Sequence, residues 1–409
     1  MGLMRPYIFV PKLATPIPQP SISAEAFRTW LVQSSEDFAP DLREVFASHH
    51  IPEYQAGKWS DEPQFVVLPY VGAAIAIVKG HKQAVQLAAA ANYEAIPDIE
   101  LPIATSVASG GPQSPPWSEV SGVPQAHSDG ILGQGVLVGV MDTGCDADHQ
   151  EFEGSPPKFR HIPSSLSEFR DQRGCDPSGH GTHVCGVIGG KNIGVAPQVD
   201  LWVAGVIGND APHASLSRVF AGINWLAMNF RSLPENVGRP AVINMSFGYV
   251  PGSLQSQVLQ QVDLGLHRLV QRLLDLKILP VAAIGNEGLG VVRAPGCFPE
   301  ALGVGSVDFD LRPHTSSGSG AFPTTGPQKP DIMGYGVDIL SAYGRNHSGI
   351  SVYEAATGTS MAAAYVTGIA ALHASADPAL TGLALRARIL DTALPLARYP
   401  GPGLARFVP

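Results

Sequence analysis

From residue 117 onwards, short apolar runs alternate with longer stretches whose apolar residues recur at helical spacing. The runs predict buried strands and the stretches predict helices, an order typical of a parallel sheet covered on both faces. The predicted strands are residues 136–141, 200–206, 241–245, 278–284 and 301–307. The predicted helices are residues 181–189, 215–229, 253–275 and 359–374. We therefore predict an α/β domain over residues 117–409.

The first 105 residues have a different pattern. They predict a small α+β unit in the order strand, helix, strand, strand, helix, strand, with an extra helical insertion. Its predicted strands are residues 7–10, 64–68, 73–79 and 95–96, and its predicted helices are residues 24–32, 41–48 and 81–92. Residues 106–116 are rich in Ser, Gly and Pro, which predicts a linker between the two domains.

Composition limits the classes of function. The chain has 409 residues, of which 44% are apolar and 15% charged, so it can bury a large core. Its net charge of −9 argues against a nucleic-acid partner, which requires a basic surface. The absence of a long apolar run argues against a membrane partner. The first six residues lack the pattern of a secretory signal, which predicts a cytoplasmic protein, or a secreted one if a signal had been removed.

Two segments carry candidate acid–base residues. Asp142 follows an apolar run and so is predicted at the carboxyl end of a buried strand, where open α/β sheets place their sites. The alternatives are that the Asp-Thr-Gly segment is only a turn, or that Asp142 is half of an aspartic dyad. The dyad lacks a partner, because the chain contains no second Asp-Thr-Gly or Asp-Ser-Gly. His180 opens a His-Gly-Thr-His segment at a predicted helix start and is a candidate general base. His183 is predicted to pack inside that helix; a zinc pair with His180 is the alternative, without an evident third ligand.

Two further segments complete a hydrolase. Ser360 precedes a run of small residues at a predicted helix start, where free N–H groups stabilise negative charge beside a nucleophile. Asn286 ends another apolar strand and could donate to an oxyanion. The alternatives are a helix-capping Ser and a turn Asn. The carboxylate of Asp142, the imidazole of His180 and the hydroxyl of Ser360 follow one another in the order Asp, His, Ser. This combination predicts a serine protease.

The segments around Asp142, His180, Asn286 and Ser360 resemble those of the subtilisin-like serine proteases, or subtilases. Further matching segments are Gly-Val-Ala-Pro at 194–197, Val-Ile-Asn-Met-Ser-Phe-Gly at 242–248, Lys-Pro-Asp at 329–331 and Gly-Val-Asp-Ile-Leu-Ser-Ala at 336–342. The resemblance covers most of residues 117–375. It implies a three-layer domain with a mainly parallel sheet. It also implies a catalytic triad of Asp142, His180 and Ser360, with Asn286 as the oxyanion donor.

The resemblance also implies a specificity pocket walled by the backbone of Ser246, Phe247 and Gly248. Arg293 falls where the floor or side of that pocket is expected. A buried Arg there would favour an acidic substrate residue before the cleaved bond. An Arg at the rim, or one paired with Glu287, is the alternative.

The N-terminal unit resembles the inhibitory propeptide of the family, chiefly over residues 64–100. This implies a zymogen whose tail, residues 100–111, lies in the substrate groove and is cut within residues 103–116. The expected partners are a peptide or protein substrate and the chain's own N-terminal domain as an intramolecular inhibitor. The alternative is a binding or regulatory protein whose site is catalytically silent or permanently capped.

We expect no cofactor and no metal. The short link over residues 189–193 lacks the longer loop that holds a strong calcium site in many subtilases. Four cysteines, Cys145, Cys175, Cys185 and Cys297, are predicted to be small buried residues, with a redox or metal cluster as the alternative. A contact between Cys145 and Cys175 is one possibility that the structure can test.

Overall fold

The computed structural model describes most of the chain. The described residues are 4–12, 23–54, 64–102, 107–108, 117–163, 170–171, 173–208, 213–254, 256–322, 326–397 and 401–409. The predicted linker and processing region therefore lie outside the described residues, except for residues 107–108.

The N-terminal unit is an antiparallel sheet with three helices. Its strands are β1 (Arg5–Pro11), β2 (Phe65–Leu68), β3 (Ala73–Val78) and β4 (Tyr93–Pro97), in the order β2-β3-β1-β4. Its helices are α1 (Ala24–Glu36), α2 (Pro40–Ser48) and α3 (His81–Ala90). Every strand and helix predicted for this unit is present, which confirms the α+β interpretation, with α1 and α2 as the inserted helical region.

The remaining strands, in chain order, are β5 (Glu100–Pro102), β6 (Val107–Ala108), β7 (Leu137–Asp142), β8 (Lys158–His161), β9 (Arg170–Asp171), β10 (Asp200–Gly205), β11 (His213–Ser215), β12 (Ala241–Met245), β13 (Ile278–Ala283), β14 (Leu302–Val307), β15 (Ile332–Tyr335), β16 (Ile339–Arg345) and β17 (Ser351–Thr357). Eight of them form the central sheet, in the order β15-β14-β13-β12-β7-β10-β8-β9. All its pairs are parallel except the pair of β8 with β9 at one edge. The mainly parallel sheet is thus confirmed.

The helices that follow the linker are α4 (Val123–Ser128), α5 (His180–Gly189), α6 (Leu216–Ser232), α7 (Ser256–Asp275), α8 (Thr359–Ala376) and α9 (Gly382–Asp391). They cover both faces of the central sheet. Successive side chains of a strand point to opposite faces, so the residues of one strand show which helices pack on each face. In β7, Val138 and Val140 belong to one apolar core with residues of α5 and α8. Leu137 and Met141 belong to a second core with residues of α6 and α7. This is the predicted three-layer arrangement.

The five predicted strands and four predicted helices of this domain are present. The helix predicted over residues 253–275 begins at Ser256, and residue 255 lies outside the described ranges. The sequence prediction missed β8, β15, the β16–β17 hairpin, α4 and α9. These elements are short or carry mixed polar and apolar residues, so their pattern is weak. None of the described helices is both long and apolar enough to cross a bilayer.

The N-terminal sheet packs on α6 and α7. Alternate residues of β1 show this, because Ile8 and Val10 join the core with α6 and α7, whereas Tyr7 and Phe9 join a separate core with α2 and α3. In β4, Ile96 lies against Gly265 of α7, where an added Cβ would be 2.3 Å from the Ile96 Cδ1 atom. The small residue in α7 therefore permits close contact between the N-terminal sheet and α7.

Candidate active site

Asp142 and His180 lie in direct contact. Asp142 is the last residue of β7, and His180 is the first residue of α5. The Nδ1 atom of His180 lies 2.7 Å from Oδ1 of Asp142, and the two residues are only 6% and 1% exposed. Since an ionised carboxylate only accepts, Nδ1 carries the proton and donates it, which leaves Nε2 as the basic nitrogen.

The pKa of His180 is set by opposing effects. Burial lowers the pKa, but the charge of Asp142 and the hydrogen bond to it outweigh burial, so that the pKa of His180 lies above its ordinary value. The charge of Asp176 adds a smaller effect in the same direction. A raised pKa makes the imidazole a stronger base, which suits a group that takes a proton from a hydroxyl.

Asp176 is a supporting residue that the sequence analysis did not identify. Its carboxylate accepts hydrogen bonds from the hydroxyl of Thr143 at 2.8 Å and from the amide and hydroxyl of Thr182 at 2.7 Å each. These bonds connect the turn after Asp142 with the first turn of α5, which begins at His180. The only signal in the sequence was an Asp four residues before a candidate catalytic His.

Ser360 lies in the first turn of α8, and its side chain is fully buried. Its Oγ atom is 3.5 Å from the carbonyl oxygen of Ser246, and α8 packs against α5. Within the described part of the chain, Nε2 of His180 has no hydrogen-bond partner. The structure therefore joins the carboxylate to the imidazole, and the hydroxyl is not hydrogen-bonded to that imidazole in this state.

The amide of Asn286 is held beside the start of α8. Its Oδ1 atom accepts hydrogen bonds from the backbone N–H of Thr359 at 2.9 Å and from the Thr359 hydroxyl at 3.0 Å. The Thr359 hydroxyl also accepts from the N–H of Gly285 at 3.2 Å. Because these bonds use the oxygen of Asn286, they fix the side of the amide that carries its N–H donors. Asn286 thus lies next to the residue that precedes Ser360.

His183 is a packed helix residue, as predicted. Its Nε2 atom lies 2.9 Å from the carbonyl oxygen of Ile339 and 3.1 Å from that of Glu354, so this nitrogen carries a proton and donates. Burial, together with the charge of His180, lowers the pKa of His183 to about 4. The Nε2 atom of His183 is therefore used in packing against the backbone of β16 and β17. Among the described residues, no cluster of three or more His, Cys, Asp or Glu could hold a metal ion.

The predicted pocket wall follows β12. Phe247 buries its side chain in the core under α6 and α7, so only its backbone can face a substrate. Arg293 lies against the same wall, where its Nη1 donates to the carbonyl oxygen of Gly248 at 3.0 Å. Its Nη2 and Nε donate to Oε1 of Glu287 at 2.5 and 2.9 Å. This pairing is the alternative that the sequence left open, and it weakens the argument for an acidic preference.

Two short strands of the segment that follows the N-terminal sheet lie beside the domain's own strands. β5 pairs antiparallel with β11, and Ala214 lies opposite Leu101, whose side chain is fully buried. β6 pairs antiparallel with the end of β17, the strand that leads through Gly358 into Ser360. Val107 of β6 lies opposite Thr357, three residues before Ser360 in the chain.

The four cysteines are free thiols, and all but Cys175 are buried. Cys145 and Cys175 are in contact through their backbones, since the N–H of Cys145 donates to the Cys175 carbonyl at 3.1 Å. The thiol of Cys145 instead neighbours that of Cys185, and burial raises its pKa well above the usual value. Such a thiol stays protonated and unreactive near neutral pH.

Comparisons with known proteins agree with this geometry. The subtilase family model matches residues 133–406. The chain is 44% identical over 339 residues to the subtilisin-like protease PopC of Myxococcus xanthus (strain DK1622), which covers 77% of this chain and 70% of that protein. It is 31% identical over 293 residues to subtilisin E of Bacillus subtilis (strain 168), which covers 69% of this chain and 67% of that protein.

A solved structure supports the same assignment. The crystal structure of a cold adapted subtilisin-like serine proteinase matches with a TM-score of 0.52 and 28% sequence identity, over 67% of this chain and 89% of that one. Since the family model and relatives above 30% identity each cover about two thirds of the chain or more, this chain belongs to the subtilase family and is a subtilisin-like serine protease.

Proposed function

We propose that this chain is a serine endopeptidase made as a zymogen, with Asp142, His180 and Ser360 as its triad. The observation that carries the proposal is the 2.7 Å contact between the buried Asp142 and Nδ1 of His180. That contact leaves Nε2 as the proton acceptor, on the helix that packs against α8. Catalytic hydrogen bonds are often long before substrate binds, and we propose that the Ser360 hydroxyl reaches Nε2 when substrate is bound.

The reaction follows from these roles. Ser360 Oγ attacks the peptide carbonyl carbon, Nε2 of His180 takes the hydroxyl proton, and Asp142 stabilises the resulting imidazolium. The imidazolium then gives its proton to the leaving amine, and a water molecule hydrolyses the acyl-enzyme. Asn286 and the N–H of Ser360 donate to the oxyanion, which develops only on the way to the tetrahedral intermediate.

The N-terminal unit is proposed as the inhibitor of this site. Its sheet buries one face on α6 and α7, and the carboxylate of Asp98 accepts from the N–H and hydroxyl of Ser217 at 2.8 and 2.7 Å. Asp98 therefore caps the first turn of α6, although burial outweighs these hydrogen bonds and raises the pKa of the carboxyl. Beyond it, β6 pairs with the end of β17, the strand that leads into Ser360, and so occupies an edge that an incoming peptide would need for its own backbone pairing.

We propose that the chain is processed between β5 and β6. β6 pairs with the strand that leads into Ser360, so we place the cut bond in the segment between the two strands, inside the range expected from the sequence. Cutting there would release the strand pairing that blocks the groove. A mainly parallel sheet forms many contacts between distant residues and folds slowly, which gives the N-terminal unit a reason to act as a folding template as well.

The experiment compares the parent chain with Ser360→Ala. We expect the parent to yield a shortened chain that hydrolyses casein, and the variant to stay at full length without hydrolysis. A second variant, Ser375→Ala, removes a hydroxyl near the other end of α8 that donates to the carbonyl of Gln134, and it serves as the control. A Ser360→Ala chain that is still shortened at the same bond when purified alone would contradict the proposal.

The rival function is a capped binding protein of the same fold. It is favoured by the extent of the contact between the N-terminal unit and α6 and α7, which would hold the groove closed. The two functions differ in turnover, because a permanently capped chain stays at full length and hydrolyses nothing even after prolonged incubation.

A further inference from the structure

We infer that this protease cleaves after small uncharged residues, of the size of Gly, Ala, Ser or Thr. The inference rests on the proposed function and concerns the pocket that receives the substrate side chain before the cleaved bond. In this chain, the ion pair of Arg293 with Glu287 fills that pocket. This specificity differs from the acidic preference that the sequence alone suggested.

Two loops flank the nucleophile and define the pocket. One contains Ser246, whose carbonyl lies 3.5 Å from Ser360 Oγ, and continues to Gly248. The other contains Gly285 and Asn286, which are tied to Thr359 by the hydrogen bonds described above. A substrate whose carbonyl is attacked by Ser360 must direct the preceding side chain into the space between these loops.

Arg293 crosses that space. Its guanidinium bridges the two loops, because Nη1 donates to the carbonyl of Gly248 and Nη2 donates to Glu287, which follows Asn286. An added Cβ on Gly285 would be 2.8 Å from Cγ of Arg293, and one on Gly248 would be 3.3 Å from its Cβ. The stem of Arg293 is therefore in close contact with both loops and occupies the volume that a large substrate side chain would need.

The backbone around Arg293 holds it in place. Its own N–H donates to the carbonyl of Ile284 at 2.8 Å, and Ala294 and Tyr249 exchange backbone hydrogen bonds of 2.9 and 3.2 Å. The Arg293 residue is only 9% exposed. A side chain that is fixed at both ends and buried yields little space, because close-packed regions respond to added volume with strain.

Charge also selects. Glu287 neutralises the guanidinium, and the hydrogen bonds to Glu287 and Gly248 engage donors that would otherwise bind a substrate carboxylate. A Glu or Asp substrate side chain would have to compete with Glu287 for Arg293. A Lys or Arg substrate side chain would meet a carboxylate already paired. Both charged classes are therefore disfavoured, and a short uncharged side chain ends before it reaches the ion pair.

The test measures kcat/KM for four peptide p-nitroanilides that share every residue except the last, which is Ala, Phe, Glu or Lys. The full chain is allowed to process itself, and a fluorophosphonate titration gives the concentration of reactive sites. We expect the parent to prefer Ala over each of the other three by at least about tenfold. A parent chain that reacts with the fluorophosphonate but prefers Phe, Glu or Lys overturns this inference and leaves the proposed function standing. A parent that does not titrate overturns the proposed function and, with it, the inference.

Three variants separate size from charge. Arg293→Gly empties the pocket and should raise the Phe-to-Ala ratio at least about tenfold. Arg293→Met keeps a long stem without charge, so it should continue to reject Phe. Glu287→Gln leaves Arg293 in place without its counter-ion and should raise the Glu-to-Ala ratio while Phe stays excluded. Unchanged ratios in Arg293→Gly and Glu287→Gln would overturn the inference, and the parent profile tests it even if a variant does not fold.

Discussion

The Nδ1–H of His180 donates to Asp142 Oδ1 across 2.7 Å, and the same carboxylate oxygen accepts from the backbone N–H of Thr143, also at 2.7 Å. The second bond fixes the carboxylate at the end of β7 independently of the imidazole. Asp142 is therefore a preorganised acceptor that sets the tautomer and the plane of the His180 ring before any substrate binds.

The first prediction concerns pH. Activity requires neutral His180, and its pKa lies above the ordinary value because Asp142 outweighs burial. As pH falls, kcat/KM should therefore decline at a higher pH than for an ordinary imidazole of pKa about 6.5. In Asp142→Asn the larger raising effect on the His180 pKa is lost, while burial and the smaller effect of Asp176 remain, so the acidic limb should move to lower pH while kcat drops about 10⁴-fold. A pH–rate profile that is unaltered in this variant would count against the assigned role.

The second prediction concerns Asn286. In Asn286→Ala we expect kcat to fall about 10²- to 10³-fold with KM little changed, since an oxyanion donor acts only in the transition state. Steady-state kinetics on one peptide substrate gives both constants. The control is Thr359→Val, which removes the hydroxyl that holds the Asn286 oxygen but leaves the amide in place. Its loss should be smaller, and an equal loss in both variants would mean that Asn286 acts only by supporting the loop.

The third prediction concerns the contact between the domains. A Leu at Gly265 would clash with Ile96, so Gly265→Leu should weaken the hold of the N-terminal unit by about 1–3 kcal/mol. In the Ser360→Ala background, this should appear as faster removal of the unit by an added protease. Gly252→Leu is the control, because an added Cβ there meets no atom within 4 Å.

A double variant makes the third prediction specific. Adding Ile96→Ala to Gly265→Leu removes the atoms that clash, so the N-terminal unit should regain part of its resistance. No recovery in the double variant would place the effect of Gly265→Leu within α7 and not at the contact.

The fourth prediction concerns the stability of the Lys-Pro-Asp segment. Lys329 is fully buried at its side chain, and its ammonium donates to Asp331 at 2.5 Å and to the carbonyls of Phe298 and Ala301. Asp331→Ala would leave that buried charge without its counter-ion, at a cost of about 3–5 kcal/mol. Denaturant unfolding in the Ser360→Ala background measures the free energy of unfolding.

The matched control for the fourth prediction is the ion pair of Asp310 with Arg312. Its two side chains are 69% and 58% exposed, so solvent screens the attraction and Asp310→Ala should cost less than about 1 kcal/mol. Equal losses in the two variants would contradict a structural role for the buried pair. If Asp331→Ala costs more than Asp310→Ala, as expected, the match of residues 329–331 to the family is explained by folding and not by contact with substrate.

Sequence patterns predicted the site where local pattern and chemistry coincide. Asp142 and His180 were found because each lies at the end of a strong element, and the sheet topology brings those ends together. The pairing of β6 with β17 could not be predicted, since it joins residues far apart in the chain and one strand has two residues. The bridge from Arg293 to Gly248 depends in the same way on two loops meeting. The cytoplasmic location stays a prediction.

The role of Ser360 is tested most directly by the mass of the chain after treatment with a fluorophosphonate, followed by peptide mapping. We expect one adduct per molecule on Ser360, and its loss in His180→Ala as well as in Ser360→Ala. A properly folded parent that gains no adduct, or gains it on another residue, would contradict the claim that Ser360 is a nucleophile activated by His180.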